Sequence, residues 1–321
     1  LGCSPRAREA YLKMAAELHR YPDGAAADLR AALAAEYKME AGRIVCGAGS
    51  DELISLIVRA YAGAGDEVVY SEHGFLMYPI NAKAVGAKAV AAPETNMRSD
   101  IQALLKAVTP KTKIMLLANL NNPTGSYLTK SEMRELRGKL PEHVLLVVDA
   151  AYAEFVEAED YEDGRALVDA YPNVAMLRTF SKIHGLAGLR LGWGYFSPDV
   201  AGIINRVRGP FNVSLPAQAV GIAALADKEF MRKSVALARQ GRFFLTEKLQ
   251  ELGLKAYPSA GNFLLVDFGS GAEDIRLALK EKWIFIRQMG AYNLPHCLRM
   301  TVGTAEDNER VVAELKGILR R

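Results

Sequence analysis

Two hydroxyl residues and a lysine stand together at Thr179-Phe180-Ser181-Lys182, and Arg190 follows after a glycine-rich stretch. Hydroxyls and a guanidinium all donate hydrogen bonds to phosphate oxygens, so this grouping suits an anion cradle. A lysine beside such a cradle suits a Schiff base, because its amine becomes nucleophilic once desolvated or set near other cations. A phosphate holder next to an imine-forming lysine points to pyridoxal phosphate. The tetrapeptide alone fits a solvated lysine in a polar loop at least as well, so its surroundings decide.

Those surroundings alternate between strands and helices. Short apolar runs at 43–46, 67–70, 88–91, 113–118, 143–148, 174–177 and 192–196 read as strands. Helical patterns lie between them at 75–85, 99–108, 129–139 and 164–170, after an opening helix at 5–19 that Ser4 caps and Pro5 begins. Continuous apolar strands with helical crossovers imply a mostly parallel seven-stranded sheet sandwiched by helices, an α/β fold. Ligands of such sheets sit beyond the C-terminal strand ends. Three of those ends carry chemistry: Asn121-Asn122-Pro123-Thr124-Gly125, Asp149-Ala150-Ala151-Tyr152 and the lysine segment. The turn Gly47-Ala48-Gly49-Ser50-Asp51-Glu52 joins a strand to a helix. Free backbone N–H groups there favour phosphate, although the glycines serve a tight turn equally well.

Composition shifts near Gly209. A helix at 198–207 precedes it, and helices at 215–226, 228–252, 272–282 and 305–320 follow, with strands at 263–268, 284–287 and 297–302. We expect a large domain at 22–209 and a smaller α+β domain built from 1–21 and 210–321.

The chain has 321 residues, half of them apolar, and a formal net charge of +3. That is enough chain for a large core, and too little charge to argue for nucleic acid or a membrane surface. Cys3, Cys46 and Cys297 show no paired spacing and read as free thiols of a reducing compartment, and the five histidines show no metal-ligand spacing. No apolar run is long enough to span a bilayer, no signal peptide is legible, and the opening at Leu1 without methionine suggests a missing N-terminal piece.

Taken in order, the loaded segments resemble the fold-type I pyridoxal-phosphate enzymes, and within them the histidinol-phosphate aminotransferase branch of the class I/II aminotransferases. The resemblance runs over nearly the whole chain. It rests on Tyr21-Pro22-Asp23, the Gly47–Glu52 turn, Asn121–Gly125, Asp149–Tyr152, Arg178–Lys182, Ala187-Gly188-Leu189-Arg190-Leu191-Gly192 and Leu298-Arg299-Met300-Thr301-Val302-Gly303.

The resemblance implies a role for each matched residue. Lys182, Asp149 and Tyr152 form the catalytic set. Lys182 carries the cofactor as a Schiff base and shuttles the substrate proton; Asp149 pairs with the pyridine nitrogen and keeps it protonated. Asn122 and Tyr152 bond the phenolic oxygen. Thr179, Ser181, Arg190 and the backbone at Ser50 and Asp51 hold the phosphate. Phe75 stacks on the ring, with Tyr78 as the competing candidate. Tyr21 reaches the cofactor phosphate and substrate of a neighbouring subunit, which implies a homodimer. Arg299 clamps the α-carboxylate and Arg287 contacts the substrate phosphate. A carboxylate held in the ring plane favours loss of the α-proton, and so transamination.

Three departures stand out. The family's Asn-Glu-Asn-Pro arm before Leu1-Gly2 is missing from the sequence: trimmed, disordered or lacking. Ser71 or Glu72 replaces a frequent proline, and Leu120 stands where another is common, with little effect expected. The expected function is cytoplasmic amino transfer between histidinol phosphate and 2-oxoglutarate in histidine biosynthesis, on small-molecule partners alone. The competing readings are an aromatic amino acid aminotransferase, a threonine-phosphate-type decarboxylase, and a regulator that has kept the cofactor pocket.

Overall fold

The computed structural model describes residues 1–319; the expected helix end at Arg320 and domain end at 321 lie outside the described residues. In chain order the strands are β1 (Ile44–Gly47), β2 (Glu67–Ser71), β3 (Lys88–Ala92), β4 (Glu94–Thr95), β5 (Arg98–Ser99), β6 (Thr112–Ala118), β7 (Leu145–Asp149), β8 (Val174–Thr179), β9 (Gly192–Phe196), β10 (Lys255–Ala256), β11 (Phe263–Asp267), β12 (Arg287–Gln288) and β13 (Cys297–Thr301). The helices are α1 (Pro5–Met14), α2 (Ala27–Tyr37), α3 (Ser50–Tyr61), α4 (Met77–Ala84), α5 (Ile101–Lys106), α6 (Lys130–Lys139), α7 (Arg165–Ala170), α8 (Pro198–Val207), α9 (Leu215–Leu225), α10 (Lys228–Glu251), α11 (Ala272–Glu281) and α12 (Ala305–Leu319).

The large sheet has the order β1-β9-β8-β7-β6-β2-β3. Its strands run parallel except β9, which is antiparallel to both neighbours. Every residue of β7 and β8 is buried, because helices cover both faces. Alternation along the strands divides the core in two. Met115, Leu117, Leu146, Val148, Val174 and Met176 pack on one face; Ile114, Leu116, Leu145, Val147, Ala175 and Leu177 pack on the other.

Parallel register is what assembles the site. Ala118 pairs with Asp149, and Asp149 with Leu177, so the three loaded segments leave the sheet side by side. A second, antiparallel sheet, β10-β11-β13-β12, packs under α10, α11 and α12.

Some expectations shift. The run 284–287 reads as a strand because Ile and Phe favour the pleat. Trp283 instead takes φ 59° and the chain turns, so pairing begins only at Arg287, leaving Trp283 and Phe285 exposed. The first α-helix ends at Met14 and continues as a 3-10 turn over Ala15–Glu17. The helix expected from 75 begins at Met77. A hairpin of β4 and β5 went unforeseen, because its two-residue turn is Asn96-Met97, both at positive φ, where Asn-Gly is the usual signal.

Gly209 does not mark a change of core. Ala7 and the α9 residues Ala217, Val220, Ala224 and Leu225 pack with the large sheet, whereas the second core begins with α10. We propose a division near Asp227, with the first helix in the large unit. Among the described residues no helix is long and apolar enough to cross a membrane.

Thr129 and Glu132 close a capping box on α6: the Thr129 hydroxyl accepts from the Glu132 amide, and the Glu132 carboxylate accepts from the Thr129 amide at 2.7 Å. Thr129→Ala should lower unfolding free energy by about 1 kcal/mol, read from the urea midpoint.

Candidate active site

Asp149 is the last residue of β7 and is buried. Its Oδ2 accepts a hydrogen bond from the Tyr78 hydroxyl at 2.9 Å. Its Oδ1 is buried and has no partner among the described residues. Burial pushes the carboxyl pKa up to about 6, while the Tyr78 hydrogen bond and the Lys182 charge pull the other way. Burial, and then the Asp149 charge, push Tyr78 well up, so its hydroxyl stays a donor.

At the end of β8 the chain enters a tight loop in which the Ser181 amide donates to Thr179 Oγ1 at 3.2 Å. The Lys182 ammonium stands 5.2 Å from the centre of the Tyr152 ring. Arg190 takes a left-handed backbone, φ 54°, and sends its guanidinium back to Ser181 Oγ at 3.4 Å and to Asp51 Oδ1 at 2.8 Å.

Beside them begins α3. Its N-cap, Gly49, has φ 95° and no side-chain cap, so the first-turn N–H groups lack that partner. A Cβ at Gly49 would lie 2.6 Å from Arg190 Nη2, and one at Gly192 would lie 2.3 Å from the Ser50 nitrogen. Both glycines therefore allow backbone and guanidinium to close around one small space.

Ser50, Asp51, Phe75, Asn122, Asp149, Tyr152, Thr179, Ser181, Lys182 and Arg190 all line one cleft of about 730 Å3, its open mouth included. Leu120 lines it too and is buried. Phe75 and Tyr78 no longer compete for one place: Phe75 lines the cleft, while Tyr78 lies behind it, edge-on to Phe75 at 5.9 Å, bonded to Asp149. Tyr78 was weighed only as a stacking ring, and its bond to Asp149 is the contact that sequence reasoning missed. Its spacing of three residues from Phe75 was the available signal.

Three expected residues lie outside the lining. Arg299, on β13, donates to Asn122 Oδ1 and stacks over the Phe263 ring at 5.1 Å, so it reaches the cleft through Asn122. Arg287 pairs across the strands with Arg299 and is exposed. Tyr21 is 82% exposed and packs on Phe211, with ring centroids 4.8 Å apart, away from the cleft of its own chain.

The pocket fits pyridoxal phosphate. One end offers the α3 amides, the Ser181 hydroxyl and the Arg190 guanidinium to a phosphate. The other offers an unpartnered carboxylate oxygen to a ring N–H, with an amine between. This sheet and this pocket define an enzyme of the fold-type I pyridoxal-phosphate class. The chain belongs to the family described as aminotransferase class I and II, whose model matches residues 2–315. It is 53% identical over 318 residues to a histidinol-phosphate aminotransferase of Rhodospirillum centenum, covering 98% of this chain and 88% of that protein. A histidinol-phosphate aminotransferase of Paramagnetospirillum magneticum is likewise 53% identical, with the same coverage. The crystal structure of histidinol-phosphate aminotransferase from Sinorhizobium meliloti in complex with pyridoxal-5'-phosphate superposes with a TM-score of 0.93 at 32% identity, covering 99% of this chain and 88% of that one.

Because the folded pKa of Asp149 lies above its unfolded value, the folded apoprotein holds that proton longer. Stability should therefore fall as pH rises from about 4 through about 6, by on the order of 3 kcal/mol from this group. Urea midpoints of apoprotein at several pH values should show this slope, and Asp149→Asn should flatten it. Gly192→Ala should weaken cofactor binding by at least about tenfold, read by absorbance titration, since its Cβ meets the Ser50 amide.

Proposed function

We propose that this enzyme transfers an amino group between histidinol phosphate and 2-oxoglutarate, in the cytoplasm, as a step of histidine biosynthesis. The observation that carries the substrate reading is a pair of arginines. Arg287 and Arg299 are direct cross-strand partners, so their side chains share a face, and neither has a carboxylate partner among the described residues. Like charges placed opposite each other destabilise a sheet. Burial draws the Arg299 pKa down, and the Arg287 charge adds to that. A dianionic phosphate relieves the repulsion; a phenyl ring does not. The named relatives support the same reading.

Pyridoxal phosphate supplies an aldehyde carbon that an amine can attack and a protonated ring that takes up electrons. The chain's residues do the rest. Lys182 offers the amine and then moves the proton from the amine-bearing carbon of the substrate. Asp149 holds the ring's nitrogen proton, and Tyr78 holds Asp149. Asn122 and Tyr152 donate to the phenolic oxygen. Ser50, Asp51, Thr179, Ser181 and Arg190 fix the phosphate, and Phe75 covers one ring face.

Histidinol phosphate has no carboxylate on its amine-bearing carbon, whereas glutamate does. Arg299 therefore grips a phosphate in one half-reaction and a carboxylate in the other, and Asn122 orients it for both. The working unit in this reading is a homodimer in which Tyr21 reaches the site of a second copy; its exposure in its own chain supports this.

Mixing the cofactor-loaded protein with histidinol phosphate, glutamate, phenylalanine or tyrosine and following its visible band tests the reading. Bleaching by histidinol phosphate and glutamate is expected; bleaching by phenylalanine and not by histidinol phosphate would overturn the substrate assignment. Arg287→Gln should cut kcat/KM for histidinol phosphate by about 10- to 100-fold and leave the glutamate half-reaction nearly intact. Lys182→Ala should lose about a thousandfold or more of turnover.

A further inference from the structure

The β4–β5 hairpin places a carboxylate where none was anticipated. The Glu94 side chain is 1% exposed. Its Oε1 accepts from the Ser71 hydroxyl at 2.7 Å and from the His73 amide at 3.2 Å, with Asn121 Nδ2 at 3.5 Å. Its Oε2 lies 2.9 Å from His73 Nδ1. Asn121 closes the circuit by donating to the His73 carbonyl at 3.3 Å and to Thr124 Oγ1 at 3.0 Å. One carboxylate thus spends its lone pairs on two separate segments, the turn after β2 and the loop after β6.

Neither segment is remote from the chemistry. Phe75 follows His73 by two residues and Asn122 follows Asn121 directly, and both line the cleft. Glu94, His73, Ser71 and Asn121 do not line it. Buried carboxylates are costly unless paired, and hydrogen bonds to them are short and directional. Burial draws the His73 pKa down, but the hydrogen bond and charge of Glu94, and the charge of Glu72, outweigh it and leave it raised. The hairpin that presents Glu94 is itself anchored, since Ser126 Oγ donates at 2.9 Å to the carbonyl of Met97, a turn residue at φ 60°.

We propose that Glu94 is a positioning residue of the cofactor pocket: through His73 and Asn121 it sets Phe75 against Asn122, and so fixes how tightly the two walls grip the ring of pyridoxal phosphate. The inference rests on the reading of the cleft as that cofactor's site.

Glu94→Gln tests it, because the amide keeps the shape and one acceptor while removing the charge. Cofactor dissociation constants and the circular dichroism induced in the cofactor's visible band are read for the wild type, Glu94→Gln, His73→Gln and the double variant, with apoprotein melting as the folding check. Expected are a loss of affinity of about tenfold, comparable to removing an outer partner of a bound group, an induced signal reduced by half or more, and a double variant no worse than either single. Glu94→Gln with wild-type affinity and signal would overturn the proposal alone. So would single-variant losses that add in the double variant and track the drop in apoprotein melting. A wild-type protein that binds no pyridoxal phosphate would overturn the cofactor reading itself.

Discussion

A carboxylate sealed at the end of a fully buried strand must be matched by donors, or it takes up a proton and loses its charge. Asp149 meets that demand unequally. Tyr78 bonds one oxygen, the Lys182 charge draws the group back toward ionisation, and the other oxygen has no donor among the described residues. The cleft is arranged around this imbalance. In the proposed function a ring N–H would complete the carboxylate, and the charge of the carboxylate would keep that N–H in place. Binding energy and electron withdrawal from the substrate carbon would then have one origin.

The same economy governs the cations. Arg190 leans on Asp51 and Ser181 beside uncapped helix amides, so a phosphate there meets fixed dipoles as well as charge. Arg299 and Arg287 come from the other sheet, and Arg299 bonds Asn122 in the loop after β6. In the proposed function, substrate grip therefore depends on how two cores meet. Beneath the site, alternation along β8 turns Arg178 to the face opposite Thr179. There it is buried, paired with Glu154 at 2.8 Å and Asp163 at 2.7 Å. Glu154 lies two residues beyond Tyr152, so this triad ties the tyrosine segment to the strand that leads to Lys182. Its worth is geometric, since buried ion pairs contribute little net stability.

Legibility followed the range of the physics. The seven strands of the large sheet were readable because each is a short apolar run that burial demands locally, and α1 was readable from Ser4 and Pro5 at its start. The β4–β5 hairpin was not, because contacts at Met97 hold a turn that its own residues disfavour. The run at 284–287 misled because its apolar residues favour strand while the turn after α11 delays pairing. α9 misled in another way: its position after Gly209 suggested a new domain, whereas its buried face belongs to the first core.

The sequence by itself determined the kinds of chemistry and the strand ends on which they sit. Lys182, Asp149, Asn122 and Arg190 are each set by residue type and by short-range periodicity, which need no distant contact. Tertiary structure alone decided their partners. Tyr78 under Asp149, Arg299 against Asn122 and Glu94 between two loops join residues 71, 177 and up to 27 positions apart. Such pairs depend on parallel register and on how one sheet packs against another. Those are properties of the whole chain, and no local window of sequence contains them.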